Sequence, residues 1–316
     1  MRNFVVGVVA TWRRPTELAR LLDSLKNAGP DFGGIVISDN AGDPAIDALF
    51  ESTGLRGLSL PQSENLGCGG GLRAAEQTAC SLFKKDMTHL WILDDDVEVL
   101  PDTLPKLLHA MERENADAAH PMATNAEGRL GWFPGLLDSA KFRAVRDAAT
   151  PADYLAKCGP DPVPFSWSTG VALLVTRRAI EEAGFHRDNY WVRGEDLEFS
   201  LRITHGHKGI FVPTAEVKHF AVLAEKSGEE AYLKHCAMLQ NLCYTGLHLA
   251  HGRRIARTIP GNFLRFLKSW PPMRAIPDAA LAFLLGGLRA KPAGVAQIFR
   301  NRLLKTTSRI DTESQA

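Results

Sequence analysis

LWILDDDVEV (residues 90–99) joins an apolar run to three consecutive aspartates and then to alternating apolar and acidic positions. The apolar run has the character of a buried strand. Three neighbouring carboxylates repel one another, however, and desolvating them without a partner is costly. Two readings follow: a solvated acidic turn, or a strand end where a cation holds the acids. On a continuing strand, residues i and i+2 share a face. Asp94 and Asp96 would then face one side and Asp95 the other. Mg2+ or Mn2+ is commonly held by one or two carboxylates plus substrate phosphates, and this pair has the spacing for it.

Outward from this stretch, the first hundred residues alternate in type. FVVGVVAT (4–11) is a β-branched run. Pro15 opens ELARLLDSLKNAG, with Leu18, Leu21, Leu22 and Leu25 at helical spacing. Further strand–helix pairs are GGIVISDNAGD with AIDALFEST, GLSLPQSENLG with LRAAEQTACSLFKK, and HLWILDDD with PDTLPKLLHAMEREN. Such alternation builds βαβ units and an α/β, doubly wound, mainly parallel sheet. Ligands of such sheets bind at the carboxyl ends of the strands. Thr11–Arg14, Asp39–Asn40, Glu64–Gly67 and Asp94–Asp96 all fall at such ends, delivering polar groups from four strands to one rim.

Past residue 120 the pattern loosens around an isolated GWFPG, then resumes with STGVALLVTRRAIEEAGFH, a strand running into a helix. YWVRGEDLEFSLRITHG reads as a loop entering a helix with Glu195, Asp196 and Glu198 in its first turn. KGIFVPTAEVKHF is a strand and bend ending at His219, and the chain is helical from about 228. The expected organisation is one α/β domain over 1–225, in two halves (1–100 and 101–225), then a helical, basic region over 226–316.

The 316 residues are 45% hydrophobic and 23% charged, with a formal net charge of +1. That is an ordinary globular composition, with no overall basicity to suggest nucleic acid. The charge is uneven: residues 253–305 hold eleven Lys and Arg against the single acid Asp278. A basic segment interleaved with Phe, Leu and Trp suits an anionic membrane surface. Apolar residues at helical spacing equally suit a core or a subunit interface, so a homo-oligomer stays open. Five cysteines without a CxxC pair fit reduced thiols. The N-terminal apolar run is too short for a signal sequence, and no apolar stretch reaches transmembrane length. The expectation is a cytoplasmic protein with a peripheral contact, through 253–305, to the inner face of the cell membrane.

The remaining motifs each have a plain and a functional reading. Asp39–Asn40 suits an Asx turn or an acceptor for a base N–H or ribose hydroxyl. NLGCGGGLRAA (65–75) reads as a glycine-rich loop entering a helix, either a simple cap or a close approach to an anion, with Arg73 in reach of a diphosphate. It lacks the GK[ST] ending of a P-loop. Acids in a first helical turn suit the helix dipole without any function. Yet Glu195 and Asp196 follow an exposed-looking aromatic pair, Tyr190 and Trp191, and a carboxylate beside an aromatic platform can hold and deprotonate a sugar hydroxyl. His219 is either structural or the residue that completes an Asp/Asp metal site.

In order, VVATWRRP, ISDNAGD, ENLGCGGGLRAA, WILDDDVEVLPDTL, STGVALLVTRRAIEEAGF, GEDLEFSLR and VKHF resemble the motifs of family 2 glycosyltransferases of the GT-A fold, over residues 4 to about 220. The glycine-rich stretch and the DDD spelling are most similar to the galactofuranosyltransferase and rhamnosyltransferase branch. The resemblance implies a GT-A fold and an inverting transfer, dependent on Mn2+ or Mg2+, from a UDP- or dTDP-linked sugar such as galactofuranose or rhamnose. The acceptor it implies is a hydroxyl of a glycan or lipid-linked glycan in polysaccharide or cell-wall synthesis. Thr11, Arg14, Asp39, Asn65, Gly70, Arg73, Asp94 and Asp95 would line the nucleotide-sugar site. Asp94, Asp96 and His219 would hold the metal, and Asp196 would be the catalytic base with Glu195 beside it. Trp167 and Trp191 would border the acceptor. Residues 1–225 would form the catalytic domain, with 1–100 as its nucleotide-sugar-binding half and 101–225 as its acceptor half.

Two alternatives compete with this reading. A sugar-phosphate nucleotidyltransferase would be expected to carry a glycine-rich loop at the first strand–helix turn, where this chain has TWRRPTE. A catalytically degenerate membrane-surface scaffold leaves Asp94, Asp96, Asp196 and His219 without a reason to be intact.

Overall fold

The computed structural model describes residues 3–84, 86–221, 228–288 and 301–302. In chain order the elements are β1 (Val5–Thr11), α1 (Pro15–Leu25), β2 (Phe32–Asp39), α2 (Pro44–Thr53), β3 (Gly57–Pro61), α3 (Gly67–Phe83), β4 (His89–Asp94) and β5 (Val97–Val99). There follow α4 (Thr103–Glu114), β6 (Ala118–Thr124), β7 (Leu130–Gly131), β8 (Gly135–Leu136), α5 (Ser139–Asp147), α6 (Pro151–Cys158), β9 (Val163–Trp167), β10 (Leu173–Thr176) and α7 (Arg177–Ala183). The last are α8 (Glu195–Gly206), β11 (Gly209–His219), α9 (Glu229–His248), a 3-10 turn (Ala250–Gly252), α10 (Arg253–Ala256), α11 (Ile259–Ser269) and α12 (Pro272–Gly287). Two compact units divide the described residues. Those within Met1–Leu66, Gly71–His186 and Phe199–Ala221 form the first, and those within Gly67–Gly70, Arg187–Glu198 and Val222–Ala316 the second.

The first unit is built on one sheet in the order β3-β2-β1-β4-β10-β6-β11-β9-β8. β1 to β4 pair in parallel, as βαβ alternation dictates. β10 enters antiparallel between β4 and β6, and parallel pairing resumes between β6 and β11. The fold is therefore α/β as expected, with a mixed second half. Pro15 presets the first turn of α1, whose four leucines are buried. They share one core with Val5 and Val9, Ile35 and Ile37, and Trp91 and Leu93, the alternate residues of three adjacent strands. Truncating any of those leucines to alanine should cost about 2–5 kcal/mol.

The acidic stretch does not continue as a strand. β4 ends at Asp94, Asp95 and Asp96 form a turn, and β5 leaves in a new direction. β5 pairs antiparallel with the end of β11, with His219 opposite Val97, and the Phe220 N–H donates to the Asp96 carbonyl at 2.8 Å. Between Val212 and Glu216 the β11 register shifts against β6, which is the bend expected in KGIFVPTAEVKHF. Thus a tight turn, rather than strand periodicity, gathers Asp94 and Asp96.

The second unit is helical around Tyr232, Leu233, Cys236 and Leu239 of α9, Phe266 of α11 and three alanines of α12, with Trp191 in the same core. Two expectations are corrected here. Gly67–Gly71 is the first turn of α3, not a loop before it. A Cβ on Gly67 would lie 2.2 Å from the Trp191 carbonyl oxygen, and one on Gly69 would lie 2.4 Å from that of Tyr190. The glycines admit the backbone of 187–191, and the Cys68 N–H donates to Trp191 O at 2.8 Å. Tyr190 and Trp191 are not an exposed pair; both are buried, and the Tyr190 hydroxyl meets Thr245 Oγ1 at 2.7 Å.

Candidate active site

At the carboxyl end of β4, a knot of charge forms from four segments of the first unit. Thr11, the last residue of β1, donates its hydroxyl to Asp95 Oδ2 at 2.8 Å. Arg14, just before α1, forks between two acids: one nitrogen lies 2.6 Å from Asp95 Oδ1 and the other 2.7 Å from Asp96 Oδ2. Each contact is a charge-assisted hydrogen bond, shorter and stronger than a neutral one, and the guanidinium bridges the two carboxylates. His219 Nε2 sits 2.7 Å from the remaining Asp96 oxygen and 3.5 Å from Asp94 Oδ2. Asp95 and Asp96 are buried, whereas the Asp94 side chain is 36% exposed and open to a ligand.

The electrostatics follow from this arrangement. Burial pushes the Asp95 carboxyl up to about 7, against the opposing pull of Arg14 and the Thr11 hydrogen bond. Burial also opposes ionisation of Asp96, but the hydrogen bonds and charges of His219 and Arg14 prevail and hold it below the usual carboxylate range. For His219, burial favours the neutral ring, while the Asp96 hydrogen bond and the charges of Asp94 and Asp96 win and raise it. The mutual repulsion of the three acids is thus offset by one guanidinium and one imidazole.

Asp94, Asp96 and His219 each aim one ligand atom into a common volume, all within 4.8 Å of one another. Two carboxylate oxygens and an imidazole nitrogen, with a half-open carboxylate beside them, fit a hard or borderline divalent cation such as Mn2+ or Mg2+ that keeps places for substrate oxygens.

Sequence reasoning missed one residue beside this cluster. The Trp132 ring packs edge-on against the His219 imidazole, with centroids 4.3 Å apart. Its backbone is left-handed at φ 48°, rare for a bulky residue and costly unless the surroundings impose it. They do so through Thr169, whose hydroxyl donates to the Trp132 carbonyl at 3.0 Å and lies 3.1 Å from His120 Nε2. His219 Nδ1 is buried with no hydrogen-bond partner. A hydrogen-bond acceptor commonly orients a ligating histidine; here the imidazole instead has the Trp132 ring packed against it. The isolated GWFPG was the only signal in the sequence.

The other expected donor-side residues are distributed as follows. Both Asp39 carboxylate oxygens accept backbone N–H groups, from Ala41 at 2.9 Å and Asp43 at 2.5 Å, which is the Asx-type turn weighed from the sequence. Asn65 lies in the segment leading into α3, and Gly70 is buried in that helix's first turn. Arg73, one turn further, reaches the His186 carbonyl at 3.4 Å. Trp167 ends β9 half-buried, with its indole lying over Gly135, where a Cβ would come within 2.1 Å of Nε1.

Glu195 and Asp196 belong to the second unit, at the start of α8. Two consecutive left-handed residues, Arg193 (φ 63°) and Gly194 (φ 94°), aim that start. Asn241 of α9 grips the turn, donating to the Val192 carbonyl at 3.2 Å and the Arg193 carbonyl at 2.7 Å. Asp196 is half-buried and accepts the Leu197 N–H at 2.7 Å. Glu198 is fully buried, taken by Arg187 at 2.9 Å and His251 at 3.0 Å. Trp191, expected beside an acceptor, is a core residue of this unit.

Residues 8–153 match the model of the family described as Glycosyl transferase family 2. The chain carries a family 2 glycosyltransferase domain. This glycosyltransferase is 26% identical, over 238 residues, to N-acetylglucosaminyl-diphospho-decaprenol L-rhamnosyltransferase of Mycobacterium tuberculosis, spanning 69% of this chain and 76% of the relative. It is 25% identical, over 206 residues, to galactofuranosyltransferase GlfT1 of the same organism, spanning 64% of this chain and 65% of that one. Among solved structures, it is similar to residues 1–349 of S. aureus TarS, with a TM-score of 0.57 at 12% identity over 96% of this chain and 88% of that one. GalNAc-T7 with UDP, GalNAc and Mn2+ gives 0.58 at 16% identity, over 91% of this chain but 56% of that one. These neighbours show the fold, GT-A, with its helical C-terminal region.

Proposed function

We propose that this glycosyltransferase moves a sugar from a UDP- or dTDP-linked donor to a hydroxyl of a glycan or lipid-linked glycan in cell-wall synthesis, with inversion at the anomeric carbon. The observation that carries the reading is the convergence of Asp94, Asp96 and His219 within 4.8 Å at the carboxyl end of β4. The donor and acceptor classes follow the named relatives, one of which takes a decaprenol-diphosphate-linked saccharide by its name and the other a galactofuranosyl group.

Asp94, Asp96 and His219 would hold Mn2+ or Mg2+, which supplies positive charge for the departing diphosphate. Arg14 keeps Asp95 and Asp96 in register through its fork, and Thr11, Arg14, Asp39, Asn65, Gly70 and Arg73 are proposed to bound the nucleotide sugar. Asp196 accepts the proton of the acceptor hydroxyl as that oxygen attacks the anomeric carbon opposite the leaving group. One such displacement inverts the configuration. Glu195 is proposed to assist Asp196, and Trp167 to border the acceptor.

The test is a thermal-shift panel of UDP, dTDP, GDP and CDP, each with Mn2+, Mg2+ or chelator, because a ligand that binds only the native state raises its melting temperature. UDP or dTDP with metal should give the largest rise. No metal-dependent rise with any nucleotide would overturn the reading.

A further inference from the structure

α12 buries small residues and exposes most of its large ones, with Leu281 and Leu285 partly buried against the core. Its buried positions are Ala275, Ala279, Ala282 and Gly286. Facing outward, Met273 is 92% exposed, Ile276 59%, Phe283 48% and Leu284 52%, with Leu288 just beyond the helix at 70%. A surface helix of a globular protein ordinarily does the reverse. The small residues let α12 lie close against α9: a Cβ on Gly286 would come within 2.6 Å of both the Cys243 Cβ and the Gln240 carbonyl oxygen. Small residues toward the neighbouring helix and large apolar ones outward is the packing found where the surroundings are lipid.

The outward face also carries no unbalanced charge. Arg274 pairs with Glu229 at 2.5 Å and lies over the Tyr232 ring at 3.8 Å. Asp278 accepts from the Tyr232 hydroxyl at 2.8 Å and faces Arg302 at 3.2 Å. α11 extends the surface: its Phe263 meets Phe283 edge-on at 6.0 Å, and Leu264 is 55% exposed. Contiguous apolar exposure of this kind marks an interaction site. On α11, Arg265 and Lys268 are exposed and border it; Arg253, Arg254 and Arg257, in and just after α10, are exposed too, while Asp278 is the one acid between 253 and 288.

We propose that the α11–α12 face docks on the surface of an anionic lipid bilayer. The inference rests on the lipid-linked acceptor reading above and adds the surface that would meet the lipid. No helix among the described residues is long and apolar enough to cross a membrane, so α12 lies in the interface. The cationic border selects lipid over a second copy of the chain. A two-fold contact through this face would set the border against itself, whereas an anionic headgroup layer attracts it.

The experiment is flotation of the full chain with vesicles of phosphatidylglycerol and phosphatidylcholine, and of phosphatidylcholine alone. The wild type should float with the anionic vesicles, weakly with the neutral ones, and less as salt rises. Ile276→Asp with Phe283→Asp should abolish flotation, and Arg265→Glu with Lys268→Glu should lower partitioning about tenfold or more. Both variants should leave the melting temperature unchanged, because the side chains are exposed. Absence of wild-type flotation at low salt, or full flotation of both variants, overturns the proposal. So does a dimer in light scattering that Ile276→Asp dissociates while flotation persists. The nucleotide thermal shift separates the two readings: flotation lost with the shift intact removes only the lipid surface, and the converse removes only the donor assignment.

Discussion

The two acidic clusters, Asp94–Asp96 in the sheet unit and Glu195–Glu198 in the helical unit, differ in what holds them. At the first, side-chain charge does the holding: Arg14 bridges two acids and His219 meets the third oxygen, with hydrogen bonds of 2.6–2.7 Å. At the second, Glu198 is ion-paired with Arg187 and His251, but the turn that presents Glu195 and Asp196 is set by backbone: Arg193 and Gly194 are left-handed, and Asn241 donates to the Val192 and Arg193 carbonyls. The contrast teaches which substitutions are informative at each place. A cluster held by charge reorganises when any charge is deleted, so binding reports on it. A cluster held by backbone keeps its shape when an acid is neutralised, so rate reports on it cleanly.

The largest expected effect is at the charge-held cluster. Asp96→Ala removes the carboxylate between Arg14 and His219 and should weaken metal-dependent UDP or dTDP binding by more than about a hundredfold. Calorimetry that finds the affinity unchanged would remove the metal role. Next, Asp196→Asn should lower kcat by about 10²–10⁴ while donor affinity and melting temperature stay near wild type. Normal turnover by this variant would sink the base assignment and with it the contrast between the clusters.

Trp132→Ala should weaken Mn2+ binding, measured by paramagnetic resonance of the free ion, by roughly tenfold. Trp132→Phe should restore most of it if an aromatic ring packed against the imidazole is what positions His219. A lowered melting temperature with intact Mn2+ affinity would reduce Trp132 to packing.

A fourth effect shows only in acid. Burial drives His120 down to about 3, against a smaller opposing interaction with the Pro121 backbone carbonyl as acceptor. Its folded value thus lies below the unfolded one, near 6.5. The unfolded chain takes up a proton first as pH falls. Stability therefore holds above pH ~6.5 and declines below it, by at most about 1.4 kcal/mol per pH unit for this group, until the folded ring titrates. His120→Gln should flatten that part of the curve in urea titrations at several pH values. Parallel curves for the two proteins would show that His120 contributes nothing.

Much of the sheet unit was legible in the sequence because its signals are local. The leucines of α1 have helical spacing, Pro15 marks its start, and β-branched runs mark β1 and β2. The aspartates and His219 were legible as chemistry because each ends a strand-like run. What could not be read depends on partners remote in the chain. The glycines at the start of α3 look like a ligand loop until the backbone of 187–191 is seen crossing them. Tyr190 and Trp191 look exposed until α9 supplies Thr245 and the core around Tyr232. Trp132 has no visible role until β5 and β11 bring His219 against its ring. Likewise His207, which reads as a solvated turn histidine, is paired with Asp117 at 3.2 Å.

The β5–β11 pairing has a consequence in time. Lys218 and Glu98, joined by an ion pair across that ladder, are 120 residues apart in sequence. Closing so long a loop is slow, and in a chain made from its N-terminus it waits on synthesis. βαβ units from β1 to β4 are complete long before His219 is translated. During that interval the aspartates have Thr11 and Arg14 beside them but not His219, so the βαβ part can form before the proposed cation site is complete. On the proposed metal reading, the ability to hold a cation is a late folding milestone, and its appearance would report that β11 has docked.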